Sequence, residues 1–134
     1  MLKIGLIYIL IGPVILGFPK AFGEDWKFLQ RNAIGEFFYD AENMNHPSAD
    51  IIGVWLKVIY SKKFKDQEGF GNLSQAIGFW EINCAEKKAR LLSISHYSKE
   101  VELIHPYPRV PLTPDWESIA PNTVLDGLRI QVCK

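Results

Sequence analysis

Apolar positions fall along this chain in three different patterns, and each predicts a different kind of element. Ile4 to Phe18 is one apolar run, preceded by Lys3 and interrupted by Gly12-Pro13. From Trp26 to Tyr97 the apolar residues come in shorter, strand-like runs separated by turn residues. Near the end, Val124, Leu125, Leu128 and Val132 recur at helical spacing.

The middle pattern predicts strands. Trp26-Lys27-Phe28 alternates, Asn32 through Gly35 reads as a turn, and Phe37-Phe38-Tyr39 follows as a short aromatic strand ending at Asp40. Asn43 to Asp50, with His46-Pro47-Ser48, reads as a loop. Ile51 to Tyr60 is the strongest strand. Val54, Leu56, Val58 and Tyr60 are placed on one face and Ile52, Trp55, Lys57 and Ile59 on the other, which predicts a central strand covered on both sides. Ser61 to Asn72 is charged and punctuated by glycine, hence a loop. A hairpin follows, with Ala76, Gly78, Trp80, Ile82 and Cys84 on one face of its first arm and Glu81 and Asn83 on the other. Ala85 to Lys88 makes the turn and Ala89 to Tyr97 returns. Glu81 reads as a strand carboxylate paired with Arg90 across the hairpin. Val101 to Ile104 is one more expected strand before Pro106, Pro108, Pro111 and Pro114 break regular structure. Pro121 to Val132 fits a helix by length, although Leu128, Ile130 and Val132 also alternate and Gly127 weakens a helix.

The first run changes which residues count. Its basic start, apolar centre and small-residue Ala21-Phe22-Gly23 end have the layout of a secretory signal peptide. The expected organisation is therefore a signal peptide at 1–23 and a single domain at 24–134. Lys3 and Lys20 fall in the leader, so 13 of the 15 basic residues and all 15 acidic ones remain in the domain, a net charge of about −2. That balance argues against nucleic acid as a partner. No second long apolar run follows, so no membrane contact is expected after cleavage. With no cysteine beside the cleavage site, the expected location is the periplasm or the cell surface and beyond, reached by the general secretory route.

Two cysteines in an oxidising compartment read as one disulfide, Cys84 to Cys133, tying the C-terminus to the hairpin. They are too far apart for a redox pair and too few for a zinc site.

Candidate chemistry is sparse. His46, His96 and His105 are the only histidines, and His96 and His105 read as solvated side chains. No nucleophile elbow or His-Glu-x-x-His helix is present, so no enzyme activity and no cofactor or metal is expected. Lys62, Lys63 and Lys65 form the one basic cluster, a candidate contact for an acidic partner, with Trp55 as a further candidate.

Taken together, Trp26, Phe38-Tyr39-Asp40, Val54-Trp55, Glu81-Ile82-Asn83-Cys84, Ala89-Arg90-Leu91-Leu92-Ser93, Tyr97, Trp116-Glu117, Pro121 and Cys133 give a chain that resembles the surface-adhesin protein E family of small exported Gram-negative proteins. The resemblance implies an α+β fold: an antiparallel sheet of about six strands with a C-terminal helix packed on it and one disulfide. It also implies a binding role, since the family takes its name from a surface-displayed member that binds host proteins.

Two functions are consistent with these features. One is an interaction module for a protein or extracellular ligand. The other is a periplasmic small-ligand binder built around Trp55, Trp80 and Tyr97. The two-faced strand Ile51 to Tyr60 also predicts a homodimer that buries Ile52, Trp55 and Ile59.

Overall fold

The computed structural model describes residues 25–69, 72–99, 103–104 and 115–134, the pair 103–104 by its backbone only. The expected signal peptide, the proline-rich stretch 106–114 and His105 lie outside these residues. Among the described residues no helix is long and apolar enough to cross a membrane.

The strands are β1 (Trp26–Arg31), β2 (Gly35–Asp40), β3 (Asn45–Ser48), β4 (Ile51–Tyr60), β5 (Leu73–Asn83), β6 (Lys88–Ser98), β7 (Leu103–Ile104) and β8 (Glu117–Ser118). Six of them form one antiparallel path in the order β1-β2-β4-β5-β6-β7, while β3 pairs with β4 and β8 with β6. Among the described residues two helices complete the fold, α1 (Lys62–Glu68) and α2 (Val124–Val132).

Register assigns every side chain to a face. Val54 lies opposite Trp80, Leu56 opposite Gly78 and Ile52 opposite Ile82, so Ile52 shares the face of Val54 and Leu56. Its assignment beside Trp55 is therefore corrected: strand side chains alternate with a period of two, and positions 52, 54 and 56 must agree. This face carries the core, in which Phe37, Ile52, Val54, Leu56, Ile82 and Ala89 meet Leu128 and Val132 of α2.

Helix α2 begins where its capping chemistry dictates. Thr123 accepts a hydrogen bond from the Asp126 amide at 3.2 Å, and Asp126 accepts one from the Asn122 amide at 3.1 Å. Pro121 stands before this cap rather than early in the helix. Arg129 forks onto Asp126 at 2.8 and 3.1 Å, and this bond holds the Asp126 carboxyl below its ordinary range. Gly127 is explained by packing: a Cβ there would lie 3.1 Å from Gln30 Oε1, so β1 and the helix approach closely. The C-cap residue is Cys133, and its bond to Cys84, with Cα atoms 5.6 Å apart, fixes the helix end to the end of β5.

Two segments expected as loops are ordered elements. His46-Pro47-Ser48 belongs to β3, a short exposed strand joined to β4 by the two residues Ala49 and Asp50. Proline is tolerated there because only one edge of β3 needs ladder bonds. Ser61 to Asn72, expected as a loop, contains α1. Ser61 accepts from the Phe64 amide at 3.1 Å, Gly69 closes the helix with φ 76°, Lys62 pairs with Asp66 at 2.6 Å, and the Phe64 ring stacks on Tyr60 at 5.2 Å. Local capping thus outweighs a composition that reads as loop. The hairpin turn is one residue earlier than expected, spanning Cys84 to Lys87 between the paired Asn83 and Lys88.

His96, expected to be solvated, is 8% exposed, and its Nδ1 has no hydrogen-bond partner among the described residues. It lies opposite Ala76, on the core side of β6. Burial pulls its imidazole below the ordinary value of 6.5. In the unfolded chain this histidine protonates near pH ~6.5, so below that the unfolded state holds more protons than the folded one. Stability should be full above pH ~6.5 and fall as the pH drops from there towards the folded-state value. Urea unfolding at about pH 7.5 and about pH 5 checks this, with His96→Gln expected to flatten the difference; equal slopes in both proteins would refute it.

Candidate functional site

The second face of the sheet is the candidate site. Because Trp55 stands opposite Phe79 and Lys57 opposite both Phe38 and Ile77, these residues share one side, away from the core. Phe28 lies opposite Phe38, and Trp26 two residues earlier opposite Asp40, which brings both onto the same side. The result is a row of rings crossing β1, β2, β4 and β5.

Its geometry has two centres. At the first, the Trp55 and Phe79 rings meet at 4.8 Å and tilt by 49°. Gly53 makes room for them, since a Cβ at that position would fall 2.6 Å from the Phe79 ring and 2.1 Å from Asn45 Oδ1. At the second, Phe28 and Phe38 pack edge to face at 5.7 Å. Lys57 Nζ lies 4.7 Å from the Trp26 ring centre and 5.3 Å from that of Phe38. Burial lowers the pKa of this ammonium from its ordinary value. Phe28 is 56% exposed and Ile59 37%, so apolar surface at this end reaches solvent.

Beyond the rings, Glu81 and Arg90 face each other across the hairpin as expected. Arg90 Nε donates to Glu81 Oε1 at 2.9 Å, and its guanidinium lies 4.4 Å from the Trp116 ring centre. Glu81 is thereby a buried, paired carboxylate with a structural role. Asp40, fully buried at the end of β2, accepts from the Glu42 amide at 3.0 Å and from Asn43 Nδ2 at 2.9 Å, which shapes the turn that follows.

The candidate residues do not gather into one place. Trp55 sits mid-strand on the aromatic face, while Lys62, Lys63 and Lys65 lie on α1 beyond the end of β4. Five residues of strand separate Trp55 from that end, about 17 Å at ~3.3 Å per residue. Lys62 is already paired with Asp66, which raises its pKa, and Lys63 is exposed. The expected groove of Trp55, Trp80 and Tyr97 does not form. Trp80 packs against the core and Trp55 occupies the other face, because adjacent positions of β5, Phe79 and Trp80, point in opposite directions. Likewise the face proposed for a dimer bears Trp55 and Ile59 but not Ile52, which is buried in the core.

Sequence reasoning missed Trp26, Phe28, Phe38, Lys57 and Phe79 as one surface. The signal was available in β4, where Trp55, Lys57 and Ile59 alternate against Val54, Leu56 and Val58. Pairing with β2 and β5 supplies the rest. Among the described residues no cluster of three or more His, Cys, Asp or Glu side chains could hold a metal ion.

Residues 26–134 match the family described as surface-adhesin protein E. The fold is similar to crystal form II of Haemophilus influenzae protein E, with a TM-score of 0.58 at 14% identity over 86% of this chain and 91% of that one. A second Haemophilus influenzae protein E structure gives 0.58 and 14% over 87% and 89%. Protein E from non-typeable Haemophilus influenzae gives 0.53 and 16% over 86% and 79%. No curated protein matches the chain.

Proposed function

Because this chain belongs to the surface-adhesin protein E family, we propose that it is an exported, non-enzymatic binding domain that engages a protein or other extracellular ligand through the aromatic face of its sheet. The observation that carries this reading is the row Trp26, Phe28, Phe38, Trp55 and Phe79, aligned on the side of the sheet opposite the core helix. Aromatic rings supply large contact areas at low entropic cost, and a partly exposed row of them is typical of interaction surfaces. The basic helix α1 is a weaker candidate, since one of its three lysines is already neutralised within the helix. The signal-peptide layout of residues 1–23 supports export.

The test uses the protein exported from its own leader and labelled for fluorescence. It should bind intact host-cell monolayers or matrix coats saturably, and Phe28→Ser should weaken that binding about tenfold or more while leaving the melting curve in place. A Lys62, Lys63 and Lys65 to Glu triple variant should bind as the parent does. The reverse pattern would move the site to α1. Protease treatment of intact cells separates a surface position from a periplasmic one. A two-fold dimer through Trp55 and Ile59 is the other use of this face, and sedimentation at micromolar concentration distinguishes it.

A further inference from the structure

We propose that Lys57, held between Trp26 and Phe38, anchors the carboxylate of a protein partner: an Asp or Glu side chain flanked by an aromatic residue. This deepens the reading of the aromatic face as the binding surface and rests on it.

Charge accounting on this face leads there. Glu36 is engaged by Arg31 and Glu81 by Arg90, while Asp40 accepts from the Glu42 amide and Asn43. Among the described residues Lys57 has no carboxylate within 4.0 Å, and its ammonium is satisfied only by two ring faces. Burial of this amine lowers its pKa, as expected where water is partly excluded and no counter-charge replaces it. An incoming carboxylate would therefore supply the missing counter-charge in a setting where charge pairs are less screened than on an open surface. The exposed Phe28, packed edge-on against Phe38, offers apolar contact to a ring beside that carboxylate. Two lysines of α1 lack such a setting: Lys62 already has Asp66, and Lys63 is solvated.

Two capped peptides of alternating aromatic and acidic residues test this, one with Phe and Glu, the other with Phe and Gln. Each is titrated into the isotope-labelled exported protein and followed by amide and indole NMR shifts. The Glu peptide should bind about tenfold tighter than the Gln peptide, with shifts centred on Trp26, Phe38 and Lys57. The preference should vanish in Lys57→Met, which keeps the side-chain stem, and survive in Lys63→Met. Equal affinity for both peptides, a preference that persists in Lys57→Met, or shifts elsewhere on the domain would overturn the proposal. If the preference is absent but Phe28→Ser still abolishes cell binding, the face remains the binding surface and only the acid anchor falls. If Phe28→Ser leaves cell binding intact, the face itself is wrong. A dimer that dissociates in Phe28→Ser and blocks the Glu peptide would assign the face to a second copy of the chain.

Discussion

Replacing Cys84 or Cys133 with serine should lower the midpoint of thermal unfolding by roughly 15–25 °C. The bond joins residues 49 apart in sequence, and closing a loop of that length removes about 4 kcal/mol of chain entropy from the unfolded state in the loop-entropy account. In a domain of about 110 residues each kcal/mol moves the midpoint by several degrees. The folded state is affected as well, because Cys133 caps α2, whose Leu128 and Val132 close the core. Calorimetry of the parent and both single variants checks the size. A shift below about 5 °C would mean that packing alone holds the helix in place.

Ile82→Ala should cost about 2–5 kcal/mol, with Ile82→Val near 1 kcal/mol as the graded control. Ile82 is fully buried, lies opposite Ile52 on β4 and Ala89 on β6, and belongs to the cluster that contains Leu128. Three of its neighbours belong to rigid strand or helix positions, so the space left by truncation cannot close by a small side-chain movement. Denaturant unfolding with an unchanged m-value reads the loss directly. A cost below about 1 kcal/mol for alanine would show that α2 can settle onto the sheet and fill the gap.

How much of this was legible in the sequence depends on where the deciding information lies. Strands β1, β2, β4, β5 and β6 are visible because their alternation and turn residues are local. The disulfide is visible because two cysteines in an exported chain leave one pairing. Helix α1 was not visible, since its composition reads as loop and its order comes from the Ser61 cap, the Gly69 stop and the Tyr60–Phe64 stack. The aromatic face was hidden for a different reason. Trp26, Phe28, Phe38, Trp55 and Phe79 come from four strands, and only the register brings them together. Trp55 and Trp80 looked like partners by residue type, yet parity separates them onto opposite faces. Residue identity supplied candidates, and strand pairing decided which of them meet.

The covalent link has a mechanical consequence. A domain held near Trp26 and pulled at Lys134 would pass tension from Cys133 through sulfur to Cys84, so β6, β7, β8 and α2 stand outside the load path. The chain from Cys84 to Cys133, 49 residue steps or about 170 Å at ~3.5 Å per residue, would stay locked away from extension until the bond is reduced. Force would instead load the pairings that join β1, β2, β4 and β5, the four strands that carry the aromatic row. Tension would therefore act on the part of the sheet proposed to meet the ligand, and reducing the disulfide would lengthen the tether without first unzipping that surface.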